Sequence, residues 1–136
     1  MRYLFAVLAL LMLLAVAAQY NDPDGPLWMV YYGVPMAWCA LAALHPSLFA
    51  NTAVRGLLAA SVAAAVALTA WYWPSAAGFW HERVWQMGMT DPQAAQIAEE
   101  SREGMGMMIA TAVLFVVAIW TFFRSPQRQL NASLNA

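Results

Sequence analysis

The residues of this chain able to do chemistry are concentrated in two short acidic motifs, Asn21-Asp22-Pro23-Asp24 and Glu99-x-x-Arg102-Glu103. Carboxylate oxygens suit a hard divalent cation such as Ca²⁺ or Mg²⁺. That makes Asp22, Asp24, Glu99 and Glu103 the candidate metal ligands. Asn21 and Arg102 widen the candidate set to a polar lipid headgroup, since a guanidinium pairs well with phosphate. On a helix, Glu99 and Glu103 lie one turn apart, and Arg102 is three residues from Glu99. Neighbours at these spacings share a face, so the two carboxylates repel unless Arg102 or a bound cation neutralises them. The competing explanation is a solvated acidic surface that caps helices and pairs with Arg102, the usual fate of charged side chains.

Other chemistries find less support. His81, Met87 and Met89, with Met105, Met107 and Met108 further on, offer the soft ligands that copper prefers. Methionine in a membrane protein more commonly fills gaps. His45 and His81 are expected on opposite sides of a membrane and cannot share a haem, and the C-x-x-C-H attachment motif is absent. Cys39 is the single cysteine, which excludes a disulfide framework and a thiolate zinc site and leaves a packing role. All six basic residues are arginine, so Schiff-base and P-loop chemistry are absent. There is no H-E-x-x-H motif and no Ser-His-Asp arrangement. A net charge of −1 excludes a nucleic-acid binder that works by neutralising phosphates.

The elements that position these residues follow from hydropathy. The chain is 63% apolar and 10% charged, against about 25% charged in an ordinary soluble domain. Four stretches approach the roughly 20 apolar residues that a spanning helix needs. They are 3–18, 27–44, 54–73 and 105–123, with an outer loop over 74–104. The expected fold is therefore all-α: a polytopic membrane protein, one four-helix transmembrane bundle with a helical extracytoplasmic cap. The first span has features of a secretory signal, Met1-Arg2 before an apolar run and Ala15-Val16-Ala17 after it, but is expected to be a retained helix.

Orientation follows from arginine placement. With the N-terminus inside, Arg2, Arg55, Arg124 and Arg128 face the cytoplasm and Arg83 and Arg102 face out. All seven acids then lie outside, and both termini are cytoplasmic. The lysine-free, alanine-rich composition points to a bacterial inner (plasma) membrane. Tyr20, Trp28, Tyr31, Tyr32, Trp71, Tyr72, Trp73, Trp120, Phe122 and Phe123 gather near span ends and are expected to form interfacial belts.

The loops and stripes refine this picture. Asp24 or Gly25 is expected to cap the second helix, with Pro26 in its first turn. Residues 78–85 look like an interfacial segment, and Asp91-Pro92 like a helix start. That helix is expected to run through Glu103 into the last span, weakened where Gly104 and Gly106 enter the bilayer. In the third span Ala59, Ala63 and Ala67 repeat every four residues, as do Ala60 and Ala64. Small-xxx-small stripes let helices approach closely in lipid. This one marks the third span as the packing centre of the bundle or as a face for another membrane protein.

Asn21-Asp22-Pro23-Asp24 followed by Trp28, together with Glu99-x-x-Arg102-Glu103 before the last span, resembles the transmembrane protein 220 family. The likeness covers nearly the whole chain. It implies a membrane protein of four spans and brings Asn21, Asp22, Pro23, Asp24, Trp28, Glu99, Arg102 and Glu103 forward as candidate functional residues, with no reaction attached.

Transport is disfavoured, because carriers place ionisable groups within the membrane. Here Ser61, Thr69 and Thr111 are the polar residues at mid-depth and suffice for helix contacts. The favoured role is a non-enzymatic accessory or scaffolding subunit that packs against another membrane protein, or a second copy, through its small-residue and aromatic faces. The alternatives are binding of a divalent cation or lipid headgroup by the acidic cluster, and general acid–base work on a lipid there.

Overall fold

The computed structural model describes residues 1–73 and 90–134, with side chains through Phe123. Four long helices dominate: α1 (Arg2–Ala18), α2 (Gly25–Leu44), α3 (Thr52–Trp71) and α4 (Pro92–Leu134). Two short 3₁₀ turns, Gln19–Asn21 and Pro46–Ala50, make the tight connections α1–α2 and α2–α3. All four helices are long and apolar enough to cross a membrane. A helix suits that setting because it satisfies its own backbone polar groups where no water can. The expected interfacial segment at 78–85 lies outside the described residues, as do His81, Met87 and Met89.

Helix limits follow local chemistry. Asn51 accepts from the backbone N–H groups of Ala53 (2.8 Å) and Val54 (3.4 Å), and so starts α3 two residues before the apolar run begins. Asp91 does the same for α4 through Gln93 N–H at 3.0 Å. At 43 residues, α4 is about 65 Å long, roughly twice the hydrocarbon thickness of a bilayer. Its turns from Pro92 to Gly104 project from the apolar span, and it continues past Phe123 to Leu134. Gly104 and Gly106 do not interrupt it.

The centre of the bundle is the pair α2–α4. α2 packs along α1 on one side and against α4 on the other, and α4 packs against α3. α2 buries Trp28, Tyr32, Pro35, Trp38, Cys39, Ala42 and Ala43. α4 answers with Met107, Ala110, Leu114, Val117 and Thr121, at alternating three- and four-residue steps that keep one face inward. α3 contributes Leu58 and Ala65, flanked by Ser61, Val62 and Thr69. Its alanine stripe points the other way: Ala59, Ala60, Ala63, Ala64 and Ala67 are all exposed. The stripe is therefore not the packing centre, because the hydroxyls of α3 and the large Leu58 claim the inward face.

Two features bind the helices together. At the end carrying Arg55, Trp120 of α4 meets Phe5 of α1 and Phe49 of the second 3₁₀ turn edge-on, at centroid distances of 5.0 and 5.5 Å. Phe49 in turn lies 5.9 Å from Trp38. The Arg55 guanidinium sits 4.9 Å over the Phe122 ring, joining α3 to α4 by cation–π attraction. Nearer the other end, three hydroxyls converge. Tyr31 lies 3.2 Å from Thr69 and 3.1 Å from Thr111, and the two threonines are 2.8 Å apart. These hydroxyls join α2, α3 and α4 at one point. A second tie runs from Trp38 Nε1, which donates to Ser61 Oγ at 3.1 Å, while the Ser61 hydroxyl donates to the Leu57 carbonyl at 2.9 Å.

Hydrogen bonds between helices in lipid average roughly 0.6 kcal/mol, with a maximum near 1.7. Tyr31→Phe is therefore expected to cost about 1 kcal/mol in a denaturant titration of the purified protein in detergent. Thr111→Val should cost at least as much, because Thr69 then loses its 2.8 Å partner.

Candidate functional site

The site grows from the first tight connection. The 3₁₀ turn Gln19–Asn21 carries the chain into Asp22, whose N–H donates to the Gln19 carbonyl at 3.2 Å. Gly25 N–H then donates to the Asp22 carbonyl at 3.0 Å. A side chain at Gly25 would strike the Gln19 carbonyl, so the turn closes this tightly only around glycine. Gly25 is the first residue of α2 and Asp24 its cap position, but the Asp24 carboxylate makes no capping bond to the backbone. It accepts a hydrogen bond from Trp28 Nε1 at 2.6 Å instead. One turn of helix separates the two, the spacing at which side chains stack along a face. This bond satisfies the indole N–H of a tryptophan that is only 3% exposed.

Trp28 is the hub of an aromatic cluster. Its ring lies 6.1 Å from Tyr31, 6.1 Å from Tyr32 and 6.3 Å from Tyr72. The expectation that Trp28, Tyr31 and Tyr32 form an interfacial belt is thus corrected: Trp28 and Tyr32 are buried in the bundle and Tyr31 is half-buried, with Asp24 satisfying the Trp28 indole and Thr69 and Thr111 beside the Tyr31 hydroxyl. Tyr20, Trp71 and Trp73 do lie outward. Tyr32 reaches across to α4, where its hydroxyl presses on Gly106 so closely that a Cβ at that position would collide with it. Gly106 is therefore a seat for Tyr32, a role its sequence context, read as a weak point of the helix, did not reveal.

Glu103 lies three residues before Gly106 and is half-buried. Burial pushes its carboxyl above the usual carboxylate range, and the neighbouring carboxylates of Asp24, Glu99, Glu100 and Asp22 push it in the same direction. Asp22 and Asp24 belong to one motif and Glu99 and Glu103 to the other, so the fold brings both within electrostatic reach of a single carboxyl. Asn21, Asp22, Asp24, Glu99 and Arg102 are exposed around it. Glu100, not singled out by motif, joins this group and accepts a hydrogen bond from Gln96 Nε2 at 3.0 Å.

The arrangement is an anionic surface resting on an aromatic floor, with one half-buried carboxyl whose affinity for its proton is raised by burial and by its acidic neighbours. Among the described residues, no group of three or more His, Cys, Asp or Glu side chains is placed to hold a metal ion. Of the methionines considered for copper, Met107 is buried in the core, and Met105 and Met108 are half-buried on α4. Cys39 is fully buried.

Four apolar helices long enough to cross a membrane, a packed α2–α4 centre and charged groups kept to the ends of the apolar runs or beyond them define a small integral membrane protein. The family model described as transmembrane family 220, helix, matches residues 10–119, and the chain belongs to that family. No curated protein and no solved structure matches it.

Two outcomes follow. A carboxyl raised in the folded state favours the protonated form there. Its contribution to stability is fully present below the ordinary value of 4.5 and is lost as pH rises from there through the raised folded value. Thermal unfolding of the wild type should therefore show stability falling with pH over that window, and Glu103→Gln should flatten the fall. Gly106→Ala is expected to destabilise by about 1–3 kcal/mol through overpacking, and Tyr32→Phe in the same chain should restore most of the loss.

Proposed function

We propose that this protein is a non-enzymatic accessory or scaffolding subunit that packs laterally against another membrane protein through the outward face of α3. The observation that carries the reading is a contrast between two flanking helices. α1 turns Leu4, Val7, Leu10, Leu11, Leu13 and Leu14 outward, large aliphatic side chains that mix readily with lipid tails. α3 turns Gly56, Ala59, Ala60, Ala63, Ala64 and Ala67 outward. Gly56, Ala60 and Ala64 recur every four residues, and a Cβ added at Gly56 would meet nothing within 4 Å. At 100° per residue, this strip lies opposite buried Leu58 and Ala65, bordered by Leu57 and Leu68 on one side and Val66 on the other. A shallow groove between larger side chains suits close approach of another helix, whereas lipid gains little from it.

A second reading concerns the other candidate surface: the acidic end binds a divalent cation or a polar lipid headgroup. The supporting observation is that carboxylates of both motifs act on Glu103. Asp22, Asp24, Glu99 and Glu103 would face the cation or the headgroup amine, with Asn21 and Arg102 beside them. We propose in addition, from the arginine placement, a bacterial inner membrane with both termini cytoplasmic; this end would then lie on the extracytoplasmic side.

Gentle extraction from the native membrane followed by native mass measurement tests the first reading. The expected result is a particle well above the 14.9 kDa of one chain, containing a second polypeptide. Ala60→Leu with Ala64→Leu should release the chain alone with its thermal stability unchanged. A wild-type chain that already runs alone overturns the reading, and a particle built only of copies reassigns the face to self-association. For the acidic end, wild type and Asp22→Asn/Glu103→Gln are compared for co-purifying lipid and divalent metal. Loss of one bound species in the variant supports that reading, and identical content in both refutes it. A C-terminal fluorescent fusion should fluoresce, and a C-terminal periplasmic phosphatase fusion should be inactive; the reverse pattern would invert the topology.

A further inference from the structure

We draw no further inference here: the strongest remaining candidate, the half-buried Tyr31–Thr69–Thr111 hydroxyl cluster between α2, α3 and α4, belongs to the helix packing already described, since each hydroxyl is satisfied by a neighbouring helix.

Discussion

The contact between α2 and α4 is the constraint on which the rest of this molecule depends. In an apolar solvent helices gain nothing by hiding hydrophobic surface from one another, so they associate through close approach and a few well-placed hydrogen bonds. α2 and α4 use both means. Gly106 removes a side chain where the Tyr32 hydroxyl must pass. The adjacent residue on α2, Tyr31, places its hydroxyl against those of Thr111 and Thr69, which draws α3 into the same junction. α1 is then held from the other side, through α2 along its length and through the Phe5–Trp120 contact at the far end.

This seam also explains the acidic end. Trp28 and Tyr32 lie on the α2 face that looks toward α4, and Asp24 is tied to Trp28. Fixing α2 against α4 therefore fixes the first acidic motif beside Glu103. The cost is electrostatic, because five carboxylates crowd a half-buried corner. The Glu103 carboxyl absorbs part of that cost by holding its proton more strongly, and exposure of the remaining acids to solvent screens the rest. Among the described residues this corner presents no ready-made ligand cage of the kind a structural metal site has.

The outward surfaces divide the labour differently. Large aliphatic side chains on α1 present an ordinary boundary to lipid. The strip on α3 is made of the smallest side chains and is not used by the bundle itself. Packing inside the bundle uses aromatic side chains, hydroxyls and small residues of its own, among them Ala42, Ala43, Ala65, Ala110 and the Gly106 seat, and leaves the α3 strip at the periphery. The two candidate surfaces are thus physically distinct: one at the charged end, governed by electrostatics, and one in the membrane plane, governed by shape.

Much of this was legible in the residues. Four apolar runs separated by turn formers and charges dictate four helices, because hydropathy and backbone satisfaction act locally. Asp91-Pro92 marked the start of α4, and its run of good helix formers carried the helix through Glu103 into the last span. Ser61, Thr69 and Thr111 were recognisable as helix-contact residues. What the chain could not disclose alone is which faces meet. Trp28, Tyr31 and Tyr32 near a span end satisfy the pattern of an interfacial belt, and only the packed helices, with threonine hydroxyls for Tyr31 and a glycine seat for Tyr32, draw them inward. The alanine repeat marked a surface for close approach, but not that the bundle would leave it outward. The meeting of Asp22 and Asp24 with Glu99 and Glu103, some 75 to 81 residues apart in the chain, depends on which helix stands beside which. That order is decided by tertiary packing, because an amphipathic pattern specifies that a face will be covered without specifying by what.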